Sequence, residues 1–413
     1  EFDTAFNGAI SAAADDFVRI TLKAQAAKDY FLLVGPPGTG KTSRALRSMV
    51  EAFYREGKEI LLLSYTNRAV DEICKMLTAI TPEVDFIRIG SELSCDGVYR
   101  PHLIENVLES CSTRREVQER MARCRIFVGT VATLSAKTEL FRLKTFDVAL
   151  IDEATQILEP QLLGLLCMRG VTGGNAIGKF VLIGDHKQLP AVVLQSSEQS
   201  EIQDEGLRGI GQQAVGGRQT SAFNSRFSAF NSLDMLCRQG RMNVEVAAFP
   251  NRAFYGGLLQ PVGLEHQTGV LKLSPQLSAD EFAALLTRRV AFLPSVPEPP
   301  MQSAKMNRSE AKIVAGLAAA VYRQYTFAEG CFSAASTLGV ITPYRSQIAL
   351  IKKEIEALGI PALNEILVDT VERFQGSERD VIIYSFCVNR LSQLRFLANL
   401  TEENGIRIDR KLN

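Results

Sequence analysis

The stretch FLLVGPPGTGKTS (31–43) decides the fold class of this chain. An apolar run leads into a loop of the form G-x-x-x-x-G-K-[ST], and a helical stretch follows it. The glycines of the loop let backbone N–H groups turn inward around phosphate oxygens, and the start of the helix adds a partial positive charge. Lys41 then reaches the terminal phosphates, and the hydroxyl of Thr42 is suited to hold Mg²⁺. We therefore predict an α/β nucleotide-binding domain whose phosphate loop comprises Gly35, Pro36, Pro37, Gly38, Thr39, Gly40, Lys41 and Thr42.

The overall composition is that of a soluble globular protein. The chain has 413 residues, 46% of them apolar, which is enough for two or three domains with large cores. Lys plus Arg equals Asp plus Glu at 46 each, so a nucleic-acid partner must meet a local groove rather than an overall basic field. The eight cysteines contain no C-x-x-C pair, which argues against zinc modules and disulfide frameworks. With no signal peptide and no apolar run near about 18 residues, we expect a cytoplasmic protein without a membrane partner.

Short apolar strands alternate with helical stretches along most of the chain, which is typical of parallel sheets flanked by helices. The first series occupies residues 1–200 and includes a charged, mostly helical insertion at about 91–124. A polar, Gly-rich segment at 201–232 is predicted to be a linker. The alternation resumes over 233–413, where RVAFLP (289–294) is predicted to be a strand. We therefore predict two α/β domains in tandem.

Two adjacent acids follow another predicted buried strand. VALI (148–151) runs into Asp152 and Glu153, at the carboxyl end of a strand, where ligands bind in such sheets. Asp152 is predicted to hold the Mg²⁺ shell together with Thr42, and Glu153 to take a proton from the attacking water. A water-activating base disfavours small-molecule kinases, whose nucleophile is a substrate hydroxyl. The alternative for this pair is a solvated acidic helix start.

Nine short motifs occur in a characteristic order over about residues 30–413. They are GPPGTGKT (35–42), SYTNRAVDEI (64–73), GTVATL (129–134), IDEATQ (151–156), GDHKQLP (184–190), RQGRM (238–242), FPNRAFYGG (249–257), ITPYRSQ (341–347) and DTVERFQGSERDVIIYS (369–385). In these motifs the chain resembles the superfamily 1 helicases, most closely the Upf-like branch, whose members move 5′ to 3′ on single strands. The resemblance implies two tandem RecA-like domains with an AAA-type P-loop ATPase core, which close on ATP and Mg²⁺ at their interface.

The resemblance implies further roles around the nucleotide. Gln188 matches the residue that senses the γ-phosphate and links hydrolysis to movement. Arg241 matches an arginine that reaches across from the second domain to the transferring phosphate, where a cation offsets the charge on the equatorial oxygens. Glu378 matches a second-domain residue near the nucleotide sugar. Relatives often carry an aromatic before the arginine to stack on adenine, where this chain has Gly240. Gln25 is the upstream candidate for reading adenine, and an ordinary position on an amphipathic helix is its alternative.

The resemblance also implies contacts with single-stranded nucleic acid, on the edge of the sheets opposite the nucleotide. Short hydroxyls, amides and exposed backbone suit phosphate contacts that track a strand without reading its sequence. For each threonine a helix-capping role at a strand end is the alternative. The arginines of the 91–124 insertion either line a strand entry or form a solvated helical face. The matching positions are Thr66, Asn67, Thr130, Pro343, Tyr344, Thr370 and Val371.

We therefore expect an ATP hydrolase, the core of an ATP-dependent helicase or translocase that moves along single-stranded nucleic acid, with DNA expected over RNA. Two alternatives stay open. One is a nucleic-acid-stimulated ATPase that does not unwind, and the other is a strand-binding fragment that turns over ATP poorly. The chain begins without Met and ends at IRIDRKLN (406–413), before a further arginine motif that the resemblance implies. We therefore expect a piece of a longer protein with an incomplete second domain and weak activity.

Overall fold

The computed structural model divides the chain into two compact units, Glu1–Arg241 and Met242–Asn413. No helix within the described ranges is long and apolar enough to cross a membrane. The structure describes residues 3–188, 232–270, 272–296, 303, 305–329, 332–374, 377–388, 390–393, 397, 400–403 and 406–409.

A parallel sheet forms the centre of the first unit. Neighbouring strands pair in the order β3-β4-β2-β5-β6-β1-β7, and every pairing is parallel. All carboxyl ends of the strands therefore meet at one edge of the sheet, which we call the carboxyl edge, and the other is the amino edge. The strands are β1 (Tyr30–Val34), β2 (Ile60–Ser64), β3 (Phe86–Ile89), β4 (Ile126–Thr130), β5 (Phe146–Ile151), β6 (Ile177–Gly184) and β7 (Leu233–Met235).

Helices cover both faces of this sheet. Along β1, Phe31 and Leu33 pack into one core, and Leu32 and Val34 pack into the core on the opposite face. Burial on both faces explains why the strands are near-continuous apolar runs rather than alternating ones. The helices are Asn7–Ala12, Asp16–Ala26, Arg47–Arg55, Asn67–Thr78, Ile104–Leu108, Arg114–Arg123, Val131–Ala136, Leu140–Leu143 and Glu159–Leu166, with 3-10 turns at Thr4–Phe6, Glu92–Ser94, Gly97–His102 and Ala154–Gln156 and a π-helical segment at Lys41–Leu46.

The boundary between the units differs from the prediction. The second domain was expected to begin at residue 233, but Leu233–Met235 forms β7 and pairs with β1, and a two-residue strand, β8 (Arg238–Gln239), follows it in the same unit. The first unit thus extends to Arg241 instead of ending at residue 200. A three-residue strand carries no local signal for the sheet that it joins, because its partner is set by the open side of β1. The predicted linker, 201–232, lies outside the described residues except at Ser232.

A buried ion pair fastens the largely helical insertion to the sheet. Arg88 of β3 is 1% exposed, and its guanidinium contacts the carboxylate of Asp71 on the helix Asn67–Thr78. The same guanidinium donates from Nη2 to the carbonyl of Ser94 at 3.2 Å. The backbone N–H of Asp96 in turn donates to Asp71 Oδ1 at 3.4 Å. One cation therefore joins β3, that helix and the start of the insertion.

We expect Asp71→Asn to destabilise the protein more than Arg88→Met does. The first change leaves a buried guanidinium without its anion, and breaking a buried pair in this way costs about 3–5 kcal/mol. The second leaves Asp71, whose side chain is 24% exposed and accessible to water. Urea unfolding followed by circular dichroism compares the two free energies of unfolding. A larger loss for Arg88→Met would show that packing of the arginine, rather than its charge, is what matters.

The second unit contains a smaller parallel sheet in the order β11-β10-β12, together with an antiparallel pair, β13 and β14. Its core lies between the sheet and the helices Arg308–Gln324 and Arg345–Glu356. The other helices are Val244–Phe254, Glu265–Thr268, Ala283–Leu286, Pro361–Asn364 and Val371–Phe374, with 3-10 turns at Pro275–Leu277 and Leu391–Gln393 and a π-helical segment at Tyr325–Glu329. The strands are β9 (Gln260–Pro261), β10 (Leu338–Ile341), β11 (Leu367–Asp369), β12 (Val381–Tyr384), β13 (Leu400–Glu403) and β14 (Ile406–Asp409).

The strand predicted at 289–294 is wrong. This stretch is an irregular segment, and two of its apolar side chains, Val290 and Phe292, are 63% and 77% exposed. Its apolar content suggested a buried strand, but no strand of the described sheets pairs with it. The α/β class with parallel sheets flanked by helices is confirmed in both units.

Candidate nucleotide site and strand-contact edges

The phosphate loop follows β1 at the carboxyl edge of the first sheet. Its first residue, Gly35, donates its N–H to the carbonyl of Gly184 at the end of β6, at 2.9 Å. Inside the loop, Thr39 Oγ1 donates to the carbonyl of Pro36 at 2.7 Å. The loop is therefore held both by the neighbouring strand and by its own side chain.

Three glycines give the loop its shape. Gly38 and Gly40 have φ of +72° and +78°, a left-handed backbone that glycine adopts without steric cost. Gly35 is required for space: a Cβ added there would lie 2.1 Å from Cγ of Lys41. The aliphatic part of Lys41 thus crosses directly over Gly35.

We expect Gly35→Ala to weaken MgATP binding at least about tenfold, because the new methyl group displaces Lys41 from the loop. A titration with a fluorescent ATP analogue measures the affinity, and Lys41→Ala provides the comparison in which the cation itself is lost. Gly164→Ala is the matched control, since a Cβ at Gly164 in the helix Glu159–Leu166 meets nothing within 4 Å. Parent-like affinity of Gly35→Ala would contradict the placement of Lys41.

Thr42 and Asp152 meet beside the loop, although 110 positions separate them in sequence. Thr42 Oγ1 donates to Asp152 Oδ2 at 2.5 Å, and Asp152 is 2% exposed at the end of β5. Burial, followed by the charge of Glu153, raises the pKa of Asp152 to about 6, while the Thr42 hydroxyl and the Lys41 cation act in the opposite direction. A cation here would stabilise the charged carboxylate. These hard oxygen donors fit Mg²⁺.

Glu153, the predicted base, has an unusual backbone. Its φ is +55°, which is uncommon for a residue with a side chain and is often found at functional sites. Its N–H donates to Asp152 Oδ1 at 2.9 Å, and its carboxylate accepts from Gln156 Nε2 at 3.1 Å. Sequence reasoning assigned no role to Gln156. The amide orients the carboxylate of Glu153, and its position in the motif IDEATQ was the available signal.

We expect Glu153→Gln to retain MgATP affinity within about twofold and to lower hydrolysis by at least about 100-fold. The amide fills the same space and holds water, but it does not accept a proton at neutral pH. Steady-state phosphate release and equilibrium ATP binding, measured on the same preparation, separate the two effects. Hydrolysis within a few-fold of the parent rate would exclude Glu153 as the base.

Gln188, the predicted γ-phosphate sensor, is held by a buried carboxylate that sequence reasoning did not single out. Gln188 Nε2 donates to Asp185 Oδ2 at 2.9 Å, and the backbone N–H of Lys187 donates to Asp185 Oδ1 at 3.0 Å. Asp185 is 1% exposed and directly follows β6. Because β6 lies between β1 and β5, Gln188 lies at the same edge as the phosphate loop and Asp152.

Arg241 lies on the phosphate loop within the first unit, which corrects the expectation that it reaches across from the second domain. The N–H of Gly240 donates to the carbonyl of Gly38 at 2.9 Å. The N–H of Arg241 donates to Gln239 Oε1 at 3.0 Å. A Cβ on Gly38 would lie 2.4 Å from Cβ of Arg241. The physical reason is β7, which carries the chain along β1 to the loop before the unit ends.

Two residues expected near the nucleotide lie at amino edges. Gln25 donates from Nε2 to Glu56 Oε1 at 2.5 Å, and its carbonyl accepts from Lys179 near the start of β6. It is therefore at the far end of the sheet from the phosphate loop, and the ordinary helical position is the better interpretation. Glu378 is exposed and precedes β12, at the amino edge of the second sheet. Its contact with the nucleotide sugar stays a prediction.

The predicted strand contacts of the first unit follow β2 and β4, whose ends pair at Ser64 and Thr130. Thr66 Oγ1 accepts from the N–H of Ala69 at 3.2 Å, and Thr130 Oγ1 accepts from the N–H of Thr133 at 3.1 Å. Both threonines thus cap helices, which is the alternative role that the sequence allowed for them. Thr66 and its neighbour Asn67 are also exposed, whereas Thr130 is 5% exposed.

The expectation that these residues occupy the edge opposite the nucleotide is wrong for the first unit. All strands of the sheet run in parallel, so Thr66 and Thr130 share the carboxyl edge with the phosphate loop. What separates the two sites is distance along that edge. Strands β5 and β6 lie between β2 and β1 in the sheet order.

The predicted contacts of the second unit also converge on a carboxyl edge. Pro343 and Tyr344 follow β10, and Thr370 and Val371 follow the adjacent β11. The hydroxyl oxygen of Tyr344 accepts from Gln393 Nε2 at 3.4 Å. The structure thus brings these four positions together, and their contact with nucleic acid stays a prediction.

Comparison with known proteins places these features in a family. Two family models, each described as an AAA domain, match the chain. One matches residues 14–124 and 104–196, and the other matches residues 218–404. The "DNA replication ATP-dependent helicase/nuclease DNA2" of Bos taurus is 29% identical over 379 residues, covering 87% of this chain and 32% of that protein. The "DNA replication ATP-dependent helicase/nuclease JHS1" of Arabidopsis thaliana is 30% identical over 377 residues, covering 89% of this chain and 25% of that protein.

A solved structure, "Complex structure of Arterivirus nonstructural protein 10 (helicase) with DNA", is 14% identical with a TM-score of 0.36, covering 86% of this chain and 63% of that chain. A similarity this low supports no inference about the present chain.

The phosphate loop, the paired acids and the parallel sheets define a P-loop nucleotide-binding protein with an AAA-type core. The chain belongs to the superfamily 1 helicases, in the Upf-like branch. It spans about a third and a quarter of the length of the two curated relatives.

Proposed function

We propose that this chain is the motor core of an ATP-dependent helicase or translocase that moves along single-stranded nucleic acid. The observation that carries the proposal is the bond from Thr42 to the buried carboxylate of Asp152, with Glu153 directly beside it. A hydroxyl, a carboxylate and a second, oriented carboxylate next to a phosphate loop are the groups that hydrolysis of a nucleoside triphosphate requires.

Each residue has a defined task in this proposal. Lys41 and the loop N–H groups bind the β- and γ-phosphates of ATP, and Thr42 and Asp152 would hold Mg²⁺. When bound, Mg²⁺ neutralises charge on the phosphate oxygens. Glu153 accepts the proton of the attacking water at its carboxylate, which Gln156 orients.

Two further side chains act on the transferring phosphate. The guanidinium of Arg241 offsets the charge that builds on its oxygens, and the backbone contact of Gly240 with Gly38 keeps this segment against the loop. Gln188, held by Asp185, senses whether the γ-phosphate is present. Of these roles, those of Gln188 and Arg241 rest on the family resemblance and on the positions of the two residues.

Single-stranded DNA is the proposed partner. The two relatives are named as DNA replication enzymes, and the carboxyl edges of both sheets carry the hydroxyl, amide and backbone groups suited to phosphate contacts. A cytoplasmic, reducing location is also proposed, since the seven cysteines that the structure describes are all free thiols.

We expect single-stranded DNA to stimulate ATP hydrolysis and to bind with a steep salt dependence. If about five phosphates are neutralised, the plot of log affinity against log salt has a slope of about −3.5. Phosphate release with and without a homopolymeric oligonucleotide, and anisotropy titrations at several salt concentrations, measure the two effects. Competition with RNA of matched length tests the preference for DNA.

A duplex with a 5′ single-stranded tail distinguishes the remaining alternatives. Strand separation that requires ATP supports the helicase. Stimulated hydrolysis without separation supports an ATPase that remodels complexes, and strand binding without stimulation supports a fragment that only binds. A flat salt titration, or a strong preference for one base sequence, would contradict the phosphate-tracking contacts.

A further inference from the structure

Three aromatic side chains of the second unit, two exposed and one half-buried, form a group that we call the aromatic patch. Phe386 lies between the other two members: its ring centroid is 4.5 Å from that of Tyr384 and 6.4 Å from that of Phe292. Phe386 is 40% exposed and Phe292 is 77% exposed. Large aromatic side chains held together at the surface commonly mark a binding site.

The patch lies at the carboxyl edge of the second sheet. In the parallel register of β10 and β12, Ile341 is opposite Tyr384. Phe386 follows Tyr384 by two residues, just as Pro343 follows Ile341, so the patch adjoins the Pro343–Tyr344 segment. The patch is therefore continuous with the positions at which a nucleic-acid strand is expected.

Phe386 is presented by a rigid backbone. Its two neighbours, Ser385 and Cys387, are 1% and 0% exposed. One carboxylate oxygen of Glu310 accepts both from Ser385 Oγ at 2.8 Å and from the N–H of Cys387 at 2.9 Å. Gln393 Nε2 donates to the carbonyl of Cys387 at 3.3 Å. These charged and amide contacts fix the residues on each side and leave the ring between them at the surface.

The conformation at Cys387 is strained. Its φ is +50°, a left-handed value that costs a residue with a side chain of order 1–3 kcal/mol and persists only where the surroundings enforce it. The N–H of Cys387, which donates to Glu310, and the carbonyl of Cys387, which accepts from Gln393, hold the residue in this conformation. This conformation places Cys387 in the interior and leaves the ring of Phe386, directly before it, at the surface.

The charges around the patch match a polyanion. Arg345 follows Tyr344 directly, and the backbone N–H of Arg390 donates to Gln393 Oε1, whose amide bonds to Tyr344. Both arginines are exposed, and neither forms an ion pair with any residue in the described part of the chain. Aromatic faces near cations that form no ion pair with a described residue match the alternation of bases and phosphates in a single strand better than they match an apolar protein surface.

We propose that the aromatic patch, with Phe386 at its centre, stacks on unpaired bases of the single-stranded nucleic acid. This inference rests on the proposed function and deepens it: the second unit holds the strand by its bases as well as by its phosphates. Stacking of this kind tolerates any sequence, because every base offers a flat π-face. The arginines beside the patch contact the phosphates on each side of the stacked base.

The experiment compares Phe386→Leu with the parent on two strands of equal length, a deoxythymidine homopolymer and an abasic oligonucleotide with the same phosphates. Because Phe386→Leu removes the stacking ring, its affinity for the homopolymer should fall roughly 5- to 100-fold. The abasic strand offers no ring, so its affinity should change less than about twofold. Phe386→Tyr, which retains the ring, should restore homopolymer binding.

Phe327→Leu is the matched control. Phe327 is 52% exposed and lies just after the 17-residue helix Arg308–Gln324. The start of that helix is near the carboxyl edge, because the N–H of Asn307 donates to the side chain of Gln347 there. Such a helix is about 25 Å long, so its end and Phe327 lie far from the patch. The control should bind both strands as the parent does.

The outcomes separate the inference from the proposed function. Equal losses of Phe386→Leu on both strands would show a structural effect and overturn the stacking role. Parent-like binding of that variant to the homopolymer would also overturn it, while leaving the motor proposal intact. If the parent binds neither strand, the proposed function fails, and the stacking role fails with it.

Discussion

The parallel pairing of β1, β6 and β5 is the constraint on which the nucleotide site depends. Because these neighbouring strands run in one direction, the loops that follow them open at the same edge of the sheet. Gly35 thereby bonds to Gly184, and Thr42 reaches Asp152 across 110 positions of sequence. A shift of one residue in register would turn the buried side chains to the other face, so the core and the site are established together.

A second feature recurs at Gln188 and at Phe386: hydrogen bonds to a carboxylate hold the side chain or its neighbours in place. The buried carboxylate of Asp185 holds the amide of Gln188, and the half-buried carboxylate of Glu310 accepts from the Ser385 hydroxyl and the Cys387 N–H on either side of Phe386. A buried carboxylate is costly unless its oxygens accept hydrogen bonds, so each such bond stabilises the anchor as well as the presented residue. This arrangement keeps contact groups rigid before a ligand arrives, which reduces the ordering that binding requires.

The parts that were predicted correctly are those whose chemistry is local in sequence. The phosphate loop needs only a strand, three glycines and a helix in succession, and the acids after β5 need only the end of a strand. Apart from the strand predicted at 289–294, the errors concern partners in space. Leu233–Met235 was assigned to the wrong unit, and Arg241 was expected to come from the second domain. None of these residues carries a local signal for what lies beside it.

The sequence by itself determined the class of this protein, because a phosphate loop, an acid pair at the end of a strand and alternating apolar strands are each recognisable within a few residues. Only the tertiary structure decided that Asp185 supports Gln188, that Arg241 rests on Gly38, and that Phe386 stands exposed between two buried residues. The physical reason is that hydrogen bonds and packing act over a few ångströms in space. The strand order determines which distant segments come within that range, and no single segment of the sequence determines the strand order.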